Sequence, residues 1–395
     1  MHLDEAKAWV TAAIDRQADL LVEVAHDLHA HPELAFEEHH AHDVLAGALD
    51  DAGLAPVRHH LDVPTAFVAE AGTSGPLVAV LLEYDALPEI GHACGHNVIA
   101  AAGLGAGLAL GALAATGDPI AGRVRILGTP AEEGGGGKIV LADRGAFDGV
   151  DAALMVHPAD SDLAAMTTLA IEQLEATYHG LSAHAAAAPW KGANALDAAV
   201  LGYQNVAALR QHIAPDERVH GVFTHGGDKP NIVPSRAATF WYVRSGTVAR
   251  LAELKARVEA CLRAGADAAG CRVDLRWGDR PTAYADLKAN APLDAAWAAN
   301  AARVGRTVLD PRLTHPVLGS TDMGNISYLV PSIHPMIAVA PAGVPIHSAA
   351  FAEHARSDAA DRAVLDGAKM LALTALDVWA DPAVRTAAHD AFTRT

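Results

Sequence analysis

The residues best suited to chemistry stand in Gly91-His92-Ala93-Cys94-Gly95-His96-Asn97, where a thiol and an imidazole lie two positions apart after the apolar run Leu77 to Leu82. On extended backbone, residues i and i+2 face the same side, so Cys94 and His96 can converge on one point. Thiolate and imidazole together suit zinc or a similar transition ion. A second cluster, Thr129-Pro130-Ala131-Glu132-Glu133-Gly134, follows the run Val124 to Gly128. Adjacent carboxylates on extended backbone diverge, so one can bind a metal while its neighbour reaches a water. A third run, Ala152 to Val156, ends in His157-Pro158, and a fourth, Met336 to Ala340, is followed by His347-Ser348.

Each cluster alone has an ordinary explanation. The chain holds 22 histidines, so one more is unremarkable; Cys94 suits a small buried position, and a glutamate pair suits a solvated helix start. Their common place after short apolar runs, where open α/β sheets put their sites, is what these explanations do not provide. The Gly134-Gly135-Gly136-Gly137-Lys138 run invites a phosphate-loop reading. That loop needs Gly where Glu132 stands and Ser or Thr where Ile139 stands, which argues against nucleotide binding.

The elements that must position these residues alternate in type. Helical spacing over Ala8 to Ala30 and Glu37 to Ala52 predicts two amphipathic helices before the first strand. Strands and helices then alternate to about Met166, the pattern of an α/β domain with a mostly parallel sheet and helices on both faces. From Ile171 the texture changes to a compact α+β unit: strands at Ile171 to Tyr178, Arg218 to Thr224, Ala237 to Val243 and Arg272 to Trp277, with helices at Asn194 to His212 and Val248 to Ala269. The sheet pattern resumes after about Pro281 with a helix at Ala291 to Val304. The expected organisation is a discontinuous catalytic domain, 1–170 with 282–395, and an inserted domain at 171–281.

A chain of 395 residues can bury a large core. Val98 to Ala115 is its longest uncharged apolar stretch; Gly/Ala-dominated, it reads as a buried helix capped at Asn97, not a membrane span. The N-terminus, Met1-His2-Leu3-Asp4-Glu5, lacks the basic and apolar regions of a signal peptide. Three cysteines, Cys94, Cys261 and Cys271, offer no disulfide framework, which favours the cytoplasm. A formal charge of −18 argues against nucleic acid.

Six segments stand in a telling order: His29 to Glu38, Gly91 to Asn97, Pro130 to Gly134, Ser182-Ala183-His184-Ala185, Asn231-Ile232-Val233-Pro234 and His347-Ser348-Ala349-Ala350-Phe351. Over nearly its whole length the chain resembles the dinuclear-metal amidohydrolases and peptidases related to aminoacylase, glutamate carboxypeptidase and the plant auxin-conjugate hydrolases. Gly91 to Asn97 and Gly319 to Asn325 are most similar to the branch containing aminobenzoyl-glutamate hydrolase and the mammalian dipeptidase acting on β-alanyl-lysine. The resemblance implies two divalent ions, with zinc favoured and manganese or cobalt as alternatives. Cys94 would bridge them, and His96, Glu133, His157 and His347 would complete the coordination. Glu132 would be the general base, passing a proton from the attacking water to the leaving amine, and His184 would stabilise the oxyanion from another subunit. The inserted domain would then be a lid and the interface of a homodimer or higher homo-oligomer. At Glu83-Tyr84-Asp85 the chain departs from the aminoacylase pattern, which has a His ligand at the first position and a supporting Asp at the third. In the auxin-hydrolase-like branches that His is also absent, and the resemblance implies that His96 takes over its duty here.

Three further residues have two readings each. Arg244 aligns with an Arg that relatives use for the substrate carboxylate, which guanidinium matches bidentately, or it forms a surface salt bridge. Asn231 contacts substrate or shapes a turn. Asp322 orients a neighbouring ligand or closes the pocket. The expected activity is hydrolysis of the amide bond of an N-acyl amino acid or dipeptide-like small molecule. A Cys94/His96 nucleophilic amidase and a metal-stabilised binding protein are the alternatives.

Overall fold

The computed structural model describes residues 1–278, 283–309 and 319–394. Contacts divide the chain into two compact units, one of Met1–Thr167, Leu287–Val317 and Thr321–Thr395, the other of Thr168–Asp286 and Leu318–Ser320. The expected boundary at 281–282 lies outside the described residues.

In chain order the first unit begins with α1 (Leu3–Asp15), α2 (Ala18–Ala30), α3 (His39–Asp51), β1 (Val57–Arg58), β2 (Phe67–Ala71), β3 (Leu77–Leu82), α4 (His96–Ala115), β4 (Arg123–Gly128), α5 (Gly137–Asp143), β5 (Ala152–Leu154) and β6 (His157–Ala159). The second unit contains β7 (Ala170–His179), α6 (Ala195–Leu209), β8 (Arg218–His225), β9 (Arg236–Ser245), α7 (Val248–Ala268) and β10 (Arg272–Trp277). The first unit resumes with α8 (Ala291–Arg303), α9 (Met323–Ser327), β11 (Ser332–Ile333), β12 (Met336–Ala338), α10 (Ala349–His354), α11 (Asp358–Ala380) and α12 (Pro382–Arg394).

Six strands of the first unit form a sheet in the order β1-β2-β4-β3-β5-β11. The pairs β4/β3, β3/β5 and β5/β11 are parallel, while β1/β2 and β2/β4 are antiparallel. Alternation along β3 shows why both faces are covered. Val78, Val80 and Leu82 enter one apolar cluster, with α1 to α4, α8 and α11, whereas Leu77, Ala79 and Leu81 enter another that includes residues of α5 and α9. Central helix α4 is apolar enough to span a membrane by length and composition, but 83% of its apolar window is buried inside the protein. Its glycines permit close approach to the sheet: a methyl at Gly107 would meet Ile126 at 2.7 Å, an overpacking that costs about 1–3 kcal/mol.

The second unit is a four-stranded antiparallel sheet, β10-β7-β9-β8, packed with α6 and α7 around Leu174, Tyr178, Trp241, Leu254 and Leu262.

Two local expectations need correction. Three helices, not two, precede the first strand, because the chain turns at Arg16-Gln17 with Gln17 N–H donating to Ile14 O. The apolar periodicity continues through this break because α1 and α2 bury their faces in the same cluster. Asn97 is not a cap either. Gly95, at φ +77°, precedes the first helical residue, and buried Asn97 donates Nδ2 hydrogen bonds to Ala25 O and Ala355 O.

Candidate metal centre

The first unit gathers side chains from well-separated stretches of sequence into one cluster, buried except at Glu133, which is partly buried, and His347, which is exposed. Glu83 and Asp85 follow β3, His96 opens α4, Glu132 and Glu133 follow β4, His157 opens β6, and His347 precedes α10. Cys94 and His96 do not converge through extended backbone. Between them Gly95 takes a left-handed turn that a side chain would obstruct, since its Cβ would fall 2.5 Å from Pro158 Cγ. Glu132 and Glu133 likewise lie in a turn, entered through Ala131 at φ +62°. Instead of diverging, their carboxylates approach His96 Nε2 to 4.0 and 3.9 Å. His347 is itself at φ +62°, with its N–H donating to Ala93 O at 2.8 Å. Left-handed conformations at two non-glycine residues inside one cluster are the kind of strain that concentrates at functional sites.

Two sets of three donor residues emerge, Cys94/His96/His157 and Cys94/Glu133/His347, each with its ligand atoms within 4.8 Å of one another. Cys94 belongs to both. A third set, His96/Glu132/Glu133, overlaps them. The ring nitrogens are arranged for coordination. His96 Nδ1 is hydrogen-bonded to Asp85 Oδ1 at 3.0 Å, while its Nε2 is buried without a hydrogen-bond partner. His157 Nδ1 lies 2.7 Å from Pro158 O, leaving Nε2 3.4 Å from Cys94 Sγ. Such backing of the remote nitrogen fixes the tautomer that offers a lone pair to a metal. Asp85 stands behind the cluster, its other oxygen accepting the Glu133 N–H at 2.8 Å. His347 Nε2 is 3.0 Å from Glu133 Oε1.

Three participants escaped the sequence reading. Lys138, wholly buried at the start of α5, pairs with Glu83 and lies 2.8 Å from Asp322 Oδ1, while its backbone N–H donates to Asp322 Oδ2 at 3.0 Å. Asp322 therefore anchors a lysine. Buried Glu38 accepts hydrogen bonds from Ala131 N–H at 2.8 Å and from Thr65 Oγ1 at 2.7 Å, supporting the turn that presents the two glutamates. Buried His334 stacks on His157 with ring centroids 5.3 Å apart. Lys138 had a signal in the glycine run, and Glu38 ends the His29 to Glu38 segment; nothing in sequence marks His334.

The electrostatics separate the two glutamates. Burial raises Glu132 well above the usual carboxylate range, reinforced by Glu83, Glu133 and Asp322. For Glu133 burial acts upward too, but the His347 hydrogen bond and the His96 charge outweigh it and hold the group low. Burial, followed by the Glu133 charge, pushes the Cys94 thiol well above its ordinary value. A cation on the sulfur would reverse this, since metal-bound thiols ionise. Five buried or nearly buried carboxyl groups, Glu83, Asp85, Glu132, Glu133 and Asp322, surround Lys138 and the imidazoles. Two divalent ions suit both this excess of negative charge and the orphaned His96 Nε2.

The second unit holds the other sequence candidates. His184 Nδ1 accepts from Ala186 N–H at 3.3 Å and Ala187 N–H at 3.1 Å, which places the ring proton on Nε2 and makes the exposed end a donor. Asn231 is brought beside this loop, its carbonyl accepting the Ala185 N–H at 3.1 Å. Arg244, within β9, forms no ion pair among the described residues. It is half-buried, its Nε is buried and unpartnered, and its Nη1 reaches Ser320 Oγ at 3.5 Å. Among the described residues, then, no carboxylate of this chain meets Arg244.

Fold and donor set together define a two-metal hydrolase acting on peptide or other C–N bonds. The model of peptidase family M20/M25/M40 matches residues 79–377, and the chain belongs to that family. It is 41% identical to the Xaa-Arg dipeptidase of Mus musculus, over 97% of this chain and 91% of that protein. It is 33% identical to one subunit of the p-aminobenzoyl-glutamate hydrolase of Escherichia coli, over 71% of this chain and 62% of that one. Among solved structures it shares its fold with a dinuclear-metal-binding M20 peptidase from Bacillus subtilis, at TM-score 0.68 and 18% identity, covering 90% of this chain and 99% of that chain. An aminohydrolase structure from methicillin-resistant Staphylococcus aureus superposes with TM-score 0.77 at 20% identity, covering 95% of this chain and all of that chain.

Proposed function

We propose that the chain is a cytoplasmic dipeptidase or N-acyl amino acid amidohydrolase in which Cys94, His96, Glu133, His157 and His347 would hold two divalent ions, zinc favoured. Manganese and cobalt suit the same donors. The sharing of Cys94 between two donor sets carries this reading, since Glu132 lies within reach of a member of each. The pair of ions supplies the charge that lowers the pKa of a water and polarises the scissile carbonyl. Glu132 takes the proton from the attacking water and returns it to the leaving amine, Asp85 keeps His96 in its binding tautomer, and Lys138 with Asp322 secures Glu83. Arg244 receives the substrate carboxylate, with Asn231 at the edge of the same unit.

The likeness to the Xaa-Arg dipeptidase favours dipeptides with a basic C-terminal residue, β-alanyl dipeptides included, and the likeness to the Escherichia coli hydrolase extends the candidates to aminobenzoyl-glutamate. The inserted unit serves as lid and dimer interface in this reading. Edge strand β8 supports it, with Val222 61% and Phe223 42% exposed, because an open edge is a template for pairing with a second copy.

Metal-stripped protein is expected to lose hydrolysis of a panel of these amides and to regain it with about two ions per chain, counted by elemental analysis. Full activity in chelator would overturn the proposal in favour of a Cys94 nucleophile. The environment of the thiol opposes that alternative, because burial and then the Glu133 charge push Cys94 well above its ordinary value.

Arg244→Ala should lower kcat/KM for a substrate with a free carboxylate by about 2 kcal/mol, roughly 30-fold, and should spare its carboxamide analogue. Equal losses on both substrates would assign Arg244 a structural role.

A further inference from the structure

A separate group of donors lies at the surface where α2 leads into α3. Asp27 and His31 are one helical turn apart around the C-terminal end of α2, and His40 stands in the first turn of α3. Asp27 Oδ1 is 3.2 Å from His31 Nδ1, Asp27 Oδ2 is 2.6 Å from His40 Nε2, and the two imidazole rings are 4.5 Å apart between centroids. One ligand atom from each residue lies within 4.8 Å of the other two. Around a single ion with bonds of about 2.0–2.2 Å, donor atoms stand roughly 3.0–3.5 Å apart, so small side-chain adjustments bring all three into range.

We propose that Asp27, His31 and His40 form a third divalent-cation site, selective for zinc or a similar borderline ion. Two imidazoles and a carboxylate are the donors such an ion prefers over magnesium or calcium. The ion takes the place of the proton between the Asp27 carboxylate and His40 Nε2, His31 exchanges the hydrogen bond of its Nδ1 to Asp27 O, 2.9 Å away, for the ion, and water fills the remaining positions. Access is direct, since the three side chains are between 34% and 56% exposed and Asp27 and His40 line a groove of about 1130 Å³ along α2 and α3. With only three protein ligands and open access, the ion exchanges readily, unlike one in a closed four-ligand site.

The position gives this ion a consequence. His31 and His40 bracket the loop that carries Glu33 and Glu38. Glu33 holds the start of α3 through His40 N–H at 2.9 Å and Ala41 N–H at 3.0 Å, and its carbonyl accepts the Ala86 N–H at 2.7 Å. Glu38 supports Ala131, which leads into Glu132 and Glu133. An ion joining the two ends of this loop restrains the segment that supports the catalytic turn.

Equilibrium dialysis against graded free zinc tests the site by difference, using the wild-type chain and the His31→Ala, His40→Ala and Asp27→Asn variants. Wild type is expected to take up one more zinc per chain than each variant, with the tightly held ions and basal hydrolysis unchanged; each variant should bind the extra ion at least about tenfold more weakly. Raising zinc should also raise the Tm of wild type beyond that of the variants, as binding to the folded state requires. Identical zinc uptake by wild type and all three variants would overturn the proposal, whatever the stoichiometry of the catalytic centre.

Discussion

Glu132→Ala should retain both catalytic ions and lower kcat by about 10²–10⁴-fold, whereas Glu133→Ala should lose metal. The neighbouring residues make this a controlled comparison, because their oxygens lie almost equally far from His96 Nε2, at 4.0 and 3.9 Å. What separates them is the rest of the geometry. Glu133 belongs to the donor set with Cys94 and His347 and lies 3.0 Å from His347 Nε2. Glu132 shares only the set with His96 and Glu133. Their environments push in opposite directions, Glu132 upward by burial and neighbouring carboxylates, Glu133 downward through His347 and His96 against the effect of burial. A proton acceptor must have appreciable affinity for the proton, while a ligand must remain ionised, and carboxyl groups driven apart in this way divide into those roles. Elemental analysis and steady-state kinetics on the two variants provide the check. Equal metal loss would mean that both glutamates are ligands.

Much of this architecture is legible in the chain because it rests on local patterns. The Leu77–Leu82 strand is an uninterrupted apolar run whose two faces are both buried, so no partner had to be known to recognise it. The proposed ligands Cys94, His96, Glu133, His157 and His347 stand out for a similar reason, since they fall in short motifs whose order resembles that of the family. Their convergence depended on something less visible. Left-handed turns at Gly95, Ala131 and His347 aim the side chains, and only the glycine announces such a conformation in sequence. Lys138 was hidden by distance: its acidic partners lie 55 residues earlier, at Glu83, and 184 residues later, at Asp322. The two readings of Arg244 differed only in whether a carboxylate of this chain meets it, and that is a tertiary fact.

Co-refolding Glu132→Ala with His184→Ala in equal amounts should restore about a quarter of wild-type activity, although each variant alone is nearly inactive. The expectation rests on the proposed dimer in which His184 of one protomer serves the metal centre of its partner. With Nδ1 accepting two backbone N–H groups, His184 presents Nε2–H, the donor that a developing oxyanion requires. Random assembly makes roughly half of the dimers mixed. In each mixed dimer one site combines the intact Glu132 of one protomer with the intact His184 of the other, and the second site carries both defects. Half of the dimers with half of their sites working yields the quarter. A wild-type sample taken through the same unfolding and refolding calibrates the recovery. If it regains activity and the mixture does not, His184 acts within its own chain or takes no part in the reaction.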